Sequence, residues 1–294
     1  MIEGRAEDIC RVERNIQLAP YTTWKIGGVA DIACFPETEQ ELAQLLEIYP
    51  GAEIIGAGSN LLIRDSGIRG AVIILSQGLK QIALQENGDI VAEAGISCSR
   101  FAGFCSDNNL SGAEFLAGIP GTIGGALVMN AGAFGGEIWN IATAATVIER
   151  NGKRKNIDRG QLQIKYRKVD GFGNGVVIAG TFKLEQGVKT GTQEEIKKLI
   201  EQRKDKQPLD KCSCGSVFKN PVGSFAAKLI EEVGMKGFAI GDAQVSPKHA
   251  NFIVNNGSAS AEQIEEVMEK VIEKVRQSTG VELEPEVKII GEKG

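Results

Sequence analysis

The 294-residue chain has a single histidine, few aromatic residues and no long apolar run. A metal centre built on several histidines is therefore excluded, and a Ser–His or Cys–His nucleophile would depend on His249 alone. No stretch approaches the roughly eighteen apolar residues that a membrane-spanning helix needs. Because the first residues also lack a basic-then-apolar signal pattern, we expect a cytoplasmic protein with no membrane partner.

The charge and cysteine patterns remove further classes of protein. The net charge is −5 and no basic stripe is present, which argues against nucleic acid as a partner. The six cysteines form no Cys-x-x-Cys pair and match no zinc spacing, so we expect free thiols and no metal. Residues Ile2–Arg5 read IEGR, a common protease-site scar that could equally be native, and they carry no weight.

Helix starts can be predicted from cap residues. A Ser or Thr followed three positions later by Glu or Gln is typical of a capping box. The pattern occurs at Thr38 with Glu41, Thr192 with Glu195 and Ser260 with Gln263, the last helix ending at Gly280. Ser224 could cap a fourth helix without such a partner, and the Thr192 helix should end before Pro208.

Strand-like runs rich in branched residues separate these helices. They are Glu53–Ile55, Ala71–Leu75, Val176–Ala179, Asn251–Val254 and Val287–Ile290. Asn-Gly pairs at 87–88 and 151–152 are strong hairpin signals between such runs. The mixture predicts an α+β fold rather than a strict βαβ alternation, and a glycine-containing stretch near residues 186–191 predicts a domain boundary.

Two glycine-rich segments stand out. GAGSNLL, residues 56–62, follows a predicted strand, but it is neither a Rossmann fingerprint nor a Walker A loop, and taken alone it indicates only a turn. The second segment, residues 118–136, contains seven glycines with apolar side chains and almost no charge. Two readings are open: tight packing of a helix on a sheet, or a wall around a bound dinucleotide, which we favour because a flexible linker would be polar.

Six segments, in order, resemble the UDP-N-acetylenolpyruvoylglucosamine reductase family. They are TTWKIGG (22–28), GAGSNLL (56–62), GIPGTIGGALVMNAGAFGGE (118–137), Tyr166-Arg167, CGSVFKNP (214–221) and LEPEV (283–287). The resemblance covers about residues 15–291. It implies an FAD-binding domain of the vanillyl-alcohol-oxidase (PCMH) type over residues 15–188, with two subdomains dividing near residue 75. It also implies a smaller α/β substrate-binding domain over residues 189–294.

The resemblance also implies a reaction and its partners. NADPH would reduce non-covalent FAD, and a hydride would then pass to the enolpyruvyl double bond of UDP-N-acetylglucosamine enolpyruvate. The enolate-like product would be protonated to give UDP-N-acetylmuramate for peptidoglycan synthesis. We expect a monomer. The alternatives are another flavin-dependent oxidase or dehydrogenase of the same superfamily, or a nucleotide-binding module without catalysis.

Site residues follow from the matching positions. The resemblance implies Arg167 as the cation that stabilises the developing carboxylate charge, Ser216 as the proton donor and Glu286 as the catalytic acid. It implies substrate contacts at Tyr166, Lys219 and Asn220. The implied FAD contacts are Gly56, Ala57, Gly58, Ser59, Asn60, Leu61, Gly118, Ile119, Pro120, Gly121, Thr122, Gly124, Gly125, Asn130, Ala131, Gly132 and Ala133.

Simpler readings exist for the same residues. Without the resemblance, Arg167 would be a surface residue on a solvated strand, Ser216 a turn serine after Gly215, and Glu286 a strand-edge charge. We interpret His249 as a structural residue and Glu284 as a charge on the opposite strand face from Glu286. Only 48 residues lie between Arg167 and Ser216, so the chain resembles a shorter family subtype that lacks an inserted, tyrosine-bearing loop.

Overall fold

The structure, a computed structural model, describes residues 6–293, so Ile2–Arg5 lie outside the described residues. The chain divides into two compact units. The described residues of unit 1 are 6–14, 32–57 and 70–202, and those of unit 2 are 15–31, 58–69 and 203–293. No helix of the described part is long and apolar enough to cross a membrane.

The described helices and strands alternate irregularly along the chain. The α-helices are α1 (Glu39–Ile48), α2 (Cys98–Asp107), α3 (Ile123–Met129), α4 (Lys189–Lys206), α5 (Ala226–Glu232) and α6 (Ala261–Thr279). The strands are β1 (Arg11–Gln17), β2 (Val29–Phe35), β3 (Glu53–Ile55), β4 (Leu61–Ile63), β5 (Ile68–Ile74), β6 (Ile82–Leu84), β7 (Ile90–Glu93), β8 (Leu110–Ser111), β9 (Gly132–Ala133), β10 (Gly136–Glu137), β11 (Ala142–Ile148), β12 (Arg154–Asp158), β13 (Gln163–Lys165), β14 (Lys168–Asp170), β15 (Val176–Phe182), β16 (Glu185–Gln186), β17 (Cys212–Ser213), β18 (Ala239–Ile240), β19 (Ala243–Val245), β20 (Ile253–Asn255) and β21 (Lys288–Ile290).

A five-stranded antiparallel sheet forms the centre of unit 1, in the order β12-β11-β15-β7-β6. Both Asn-Gly pairs lie in turns between its antiparallel neighbours, which confirms the two predicted hairpins. The apolar faces of α2 and α3 pack in one core with this sheet. In that core the rings of Phe101 and Phe182 lie 4.5 Å apart, and Trp139 is buried.

A second sheet, in the order β1-β2-β5-β3, leads to the first glycine segment. Strands β3 and β5 are parallel, with Ile55 opposite Ile74, and β3 ends directly before Gly56. Thr38 accepts a hydrogen bond from the Glu41 N–H, so the predicted cap of α1 is confirmed.

Unit 2 is built on an antiparallel sheet in the order β17-β20-β19-β18, with α6 in the same core. The apolar residues Ile264, Val267, Met268, Val271 and Val275 of α6 are buried, and the predicted capping box of Ser260 with Gln263 is present. Gly280 ends the helix at φ 74° in the left-handed region, as predicted. The indole N–H of Trp24, from the TTWKIGG segment, donates to the Ile253 carbonyl at 2.7 Å, which fixes that segment on β20.

Two predicted helix starts are wrong. Helix α4 begins at Lys189, before Thr192, because the Thr192 hydroxyl is buried inside the helix against the Ser106 hydroxyl at 2.5 Å. Helix α5 begins at Ala226 and Ser224 does not cap it. The side-chain oxygen of Asn220 instead accepts the Ala226 N–H at 3.1 Å. Both contacts join residues that a local pattern does not connect.

Candidate active site

The two glycine-rich segments come together in unit 1 at positions where the backbone carries glycine in place of larger side chains. An added Cβ on Gly56 would lie 3.0 Å from the Thr122 hydroxyl, which itself caps α3 by accepting the Gly125 N–H. A Cβ on Gly125 would meet the same hydroxyl at 3.8 Å, and Gly125 is exposed. Backbone from two predicted FAD segments therefore comes together here.

Other glycines of residues 118–136 are explained by packing within the protein. A Cβ on Gly118 would lie 2.6 Å from the Phe134 ring, and one on Gly136 would lie 2.7 Å from the Phe115 ring. A Cβ on Gly124 would lie 2.7 Å from that of Ala94. The packing reading thus applies to these three glycines, and the assignment of Gly118 and Gly124 to FAD stays a prediction.

Asn130 organises the end of the glycine-rich segment. It is fully buried at the end of α3, in the left-handed region at φ 44°. Its amide nitrogen donates to the Glu137 carboxylate at 2.9 Å and to the Lys165 carbonyl at 3.1 Å. Its amide oxygen accepts the Trp139 N–H at 3.5 Å. The predicted FAD contact is thus a residue whose side chain binds three other parts of unit 1.

Arg167 lies at the tip of the hairpin formed by β13 and β14. Its guanidinium donates to the Gly132 carbonyl at 2.8 Å and to the Asn130 carbonyl at 3.4 Å. The same group lies 4.7 Å from the centre of the Tyr166 ring, and Tyr166 is exposed. The guanidinium is therefore fixed against the backbone of the glycine-rich segment, and the reading of a solvated surface arginine is wrong.

In unit 2, Ser216 and Glu286 belong to two backbone segments that are hydrogen-bonded to each other. The Glu286 N–H donates to the Val217 carbonyl at 2.8 Å, and an antiparallel bridge pairs Phe218 with Pro285. The Ser216 hydroxyl makes no hydrogen bond within residues 6–293. The structure therefore brings the segments of these two predicted residues together.

The negative charge of Glu286 also acts on a buried thiol. Burial raises the pKa of Cys214 well above its ordinary range, and the Glu286 carboxylate raises it further. The Asn60 amide donates to the Glu286 carbonyl at 3.0 Å, and the Lys288 N–H donates back to the Asn60 carbonyl at 3.1 Å. Asn60, a predicted FAD contact, thus helps to hold the segment that carries Glu286.

The predicted substrate contacts Lys219 and Asn220 have structural partners of their own. Lys219 forms an ion pair with Glu284, and its N–H donates to the Glu284 carbonyl at 2.9 Å. Glu284 is thus the partner of Lys219, a role that the sequence reading missed. Asn220 caps α5 through its side-chain oxygen.

A cleft of about 570 Å³ lies at the end of α4 in unit 2, and the sequence reading did not include it. It is lined by Lys204, Gln207, Leu209, Asp210 and Lys248. The ammonium group of Lys248 donates to the Lys204 carbonyl. Two lysines at one cleft form a positive surface in an acidic protein, but no motif in the sequence joins these distant positions.

Several other predicted positions have clear backbone roles. Gly58 lies at φ 63°, where a Cβ would collide with the Tyr21 carbonyl, and its own carbonyl accepts the Thr23 N–H at 3.1 Å. Arg64 and Asp65, from the loop that follows, bind α6: Arg64 forms an ion pair with Glu265 at 2.8 Å, and the Asp65 carboxylate accepts two N–H groups of the first turn.

Comparison with known proteins identifies the family. A model of an FAD binding domain matches residues 30–158, and a model of the UDP-N-acetylenolpyruvoylglucosamine reductase C-terminal domain matches residues 207–290. A reductase of that name from Methylococcus capsulatus is 44% identical over 94% of this chain and 91% of its own. The chain belongs to the UDP-N-acetylenolpyruvoylglucosamine reductase family.

Two further relatives agree with this result. A family member from Legionella pneumophila is 45% identical over 95% of this chain and 92% of its own. The crystal structure of the Thermus caldophilus reductase superposes with a TM-score of 0.83 at 33% identity, covering 95% of this chain and 99% of that one. The predicted mixed α/β fold with a PCMH-type FAD-binding part is confirmed, as is the predicted flavin-dependent reductase of peptidoglycan precursor synthesis.

The residues of unit 1 fit the FAD that the family uses. A Cβ on Gly56 would lie 3.0 Å from the Thr122 hydroxyl, so glycine at this position keeps the backbone open beside the second glycine segment. At the start of α3 the N–H groups of Ile123 and Gly124 donate to the Ile96 and Ala94 carbonyls at 2.8 and 3.0 Å, so these groups fix the glycine-rich segment within unit 1. No His or Cys of the chain lies in these glycine segments, which agrees with non-covalent binding.

Proposed function

We propose that the protein reduces the enolpyruvyl group of UDP-N-acetylglucosamine enolpyruvate to give UDP-N-acetylmuramate, with NADPH as the electron donor. The observation that carries this proposal is the shared backbone contact between the Ser216 and Glu286 segments, in a chain that matches the reductase family over nearly its whole length. The chemistry that FAD supplies when bound is a two-electron relay from NADPH to the enolpyruvyl double bond.

Arg167 is proposed to bind the substrate carboxylate. Hydride addition to the enolpyruvyl group moves negative charge onto that carboxylate, and a preorganised cation lowers the barrier to this step. The guanidinium is held by the Gly132 and Asn130 carbonyls, so little side-chain entropy remains to be lost. Tyr166, stacked on the same guanidinium, is proposed to contact the substrate.

Ser216 is proposed to deliver the proton that completes the reduction. A serine hydroxyl is a weak acid, so it donates only to a strongly basic acceptor such as an enolate. Its freedom from hydrogen bonds within residues 6–293 leaves its proton available for such an acceptor. Glu286 is proposed to orient the substrate carboxyl or to hold a proton beside Ser216.

The positive groups of unit 2 are proposed to bind the substrate diphosphate. Lys219, with a side chain that is largely buried beside Glu284, and Asn220 are the predicted contacts. The lysine ammonium group is a compact positive charge at the end of a flexible side chain, which allows it to bind phosphate oxygens.

The remaining predictions stay proposals. The division into residues 15–188, with subdomains near residue 75, and residues 189–294 is supported because the two family models match on either side of residue 188. The compact units differ by assigning residues 15–31 and 58–69 to unit 2 and residues 189–202 to unit 1. The shorter subtype, the monomeric state and the cytoplasmic location are proposed from the sequence, and light scattering of the purified protein tests the second.

The test is to load the purified protein with FAD and follow NADPH oxidation with and without the UDP-sugar. We expect a flavin band and NADPH loss that depends on the sugar. Ser216→Ala should slow turnover by about 10²–10⁴-fold, the usual share of general acid catalysis, while the exposed Ser258→Ala should match the wild type. Flavin binding with sugar-independent NADPH loss would support an oxidase instead, and failure to bind FAD would refute the proposal.

A further inference from the structure

Asn251, a buried residue outside the predicted site, binds the segment that carries Ser216. Its side-chain oxygen accepts the Phe218 N–H at 2.9 Å, and its amide nitrogen donates to the Phe218 carbonyl at 2.8 Å. Its backbone carbonyl accepts the Val217 N–H at 2.9 Å. Asn251 is 3% exposed and Phe218 is 2% exposed, so water cannot replace these bonds.

The segment held by Asn251 also binds the strand of Glu286. The Val217 carbonyl accepts the Glu286 N–H at 2.8 Å, and the Lys219 N–H donates to the Glu284 carbonyl at 2.9 Å. Residues 217–219 therefore lie between Asn251 and residues 284–286, with hydrogen bonds on both sides. A substitution of Asn251 would therefore shift the backbone of residues 217–219 and change the position of Ser216 relative to Glu286.

We propose that Asn251 is a positioning residue for the proton-delivery step, acting through the backbone of Val217 and Phe218. The inference rests on the proposed role of Ser216. A serine hydroxyl is attached directly to Cβ, so its position follows the backbone closely, and a misplacement of about 1 Å can cost on the order of 10²-fold in rate.

His249 completes this arrangement. Its Nδ1 atom accepts the Asn251 N–H at 3.3 Å, and its ring lies edge-on to Phe252 with centres 4.7 Å apart. Nδ1 can accept only when it carries no proton. Burial lowers the pKa of His249, which favours the neutral ring that this contact requires. His249 thus supports the position of Asn251.

The experiment separates the two halves of the reaction by rapid mixing of the FAD-loaded enzyme. When the Asn251→Ala variant is mixed with NADPH, we expect its bound flavin to be reduced at a rate within twofold of the wild-type rate. Reoxidation of the reduced enzyme by the UDP-sugar should fall about 10–100-fold, with a larger solvent deuterium isotope effect. Amide hydrogen exchange of the peptide around Val217 and Phe218 should rise in the same variant.

Asn255→Ala is the matched control. Asn255 is also buried, and its side chain makes three hydrogen bonds, to Trp24, Gly257 and Ala259, none of them to residues 214–219. It should lose stability like Asn251→Ala yet keep both half-reactions. If Asn251→Ala does not fold, Asn251→Asp serves, because it keeps an acceptor for the Phe218 N–H and replaces the amide that donates to the Phe218 carbonyl by a second oxygen.

The double variant Ser216→Ala/Asn251→Ala decides the route of the effect. If Asn251 acts through Ser216, the double variant should be no slower than Ser216→Ala alone. Multiplied losses, or equal slowing of both half-reactions by Asn251→Ala, would overturn the inference. If Ser216→Ala itself leaves the rate of flavin reoxidation unchanged, the proposed function of Ser216 is refuted and the inference with it. If reoxidation is slow in Ser216→Ala but has the wild-type rate in Asn251→Ala, only the inference is refuted.

Discussion

Each unit contains a buried asparagine that holds a predicted catalytic group, but the two do so in different ways. In unit 1, the backbone carbonyl of Asn130 accepts a hydrogen bond from Arg167. The Asn130 side chain bonds to Glu137, Lys165 and Trp139 instead. In unit 2, the Asn251 side chain makes two hydrogen bonds to the backbone of Phe218, two residues after Ser216.

The difference follows from the length of the group that is held. The arginine side chain is long, so its tip must be fixed by contacts of its own, and the Gly132 and Asn130 carbonyls provide them. The serine hydroxyl is short, so fixing the backbone fixes the hydroxyl. We therefore expect substitutions in unit 1 to slow the reaction by changing the charge or the mobility of the Arg167 side chain. Substitutions in unit 2 should slow it by shifting the backbone that carries Ser216.

Among variants of unit 1, the largest effect should come from Arg167→Ala. Loss of one preorganised group at a developing oxyanion costs about 10²–10³-fold in rate, and we expect that loss in flavin reoxidation by the UDP-sugar. Arg167→Lys keeps the charge but cannot bind both carbonyls through one planar group, so it should recover only part of the rate. The exposed Arg159→Ala is the control. Full recovery by lysine would show that the anchoring contacts do not matter.

The next effect concerns the FAD surface of unit 1. Gly56→Ala would place a Cβ 3.0 Å from the Thr122 hydroxyl and narrow the open backbone there. We expect FAD affinity, measured by flavin fluorescence titration, to fall about tenfold, equivalent to about 1.4 kcal/mol. Gly103→Ala, in α2 with open space around it, should bind FAD normally. Unchanged affinity of Gly56→Ala would remove this residue from the FAD site.

A smaller effect is expected from Asn130→Ala. It leaves the Lys165 carbonyl and the Glu137 carboxylate without their donor, and it should lower the free energy of unfolding by about 1–3 kcal/mol in urea titrations. Asn130→Gly should regain part of the loss, since glycine adopts φ 44° without strain. If both variants kept the wild-type reoxidation rate per bound flavin, Asn130 would stabilise unit 1 without positioning Arg167.

The smallest effect is a pH dependence in unit 2. His249 is the single histidine, so its proton NMR titration is unambiguous, and its pKa should lie below 6.5 because burial and the Lys236 charge outweigh the opposing charge of Glu231. The unfolded chain then binds more protons, so the free energy of unfolding should fall as pH drops below about 6.5. His249→Gln should flatten that dependence, and a pKa above 6.5 would contradict the account.

Local sequence signals predicted the local structure. The caps at Thr38 and Ser260, the stop at Gly280 and both Asn-Gly hairpins were correct because each depends on residues within a few positions. Thr192 failed for the same reason: its partner, Ser106, is 86 positions away, and this buried contact places it inside α4.

The support of the site depends on such distant pairs. Lys219 with Glu284 and Asn251 with Phe218 join residues 65 and 33 positions apart. The family resemblance supplied the candidate site residues, but no periodicity connects them to the groups that hold them. A polar residue directly before the apolar run of β20 was the one available sign that Asn251 has a buried polar partner.

The most direct test of the account is a single anaerobic mixing experiment. The FAD-loaded enzyme is reduced with one equivalent of NADPH and then mixed with UDP-N-acetylglucosamine enolpyruvate. The account predicts that the oxidised flavin band returns and that an equal amount of UDP-N-acetylmuramate forms, with the return slowed in Ser216→Ala. A flavin that stays reduced in the presence of the UDP-sugar would contradict it.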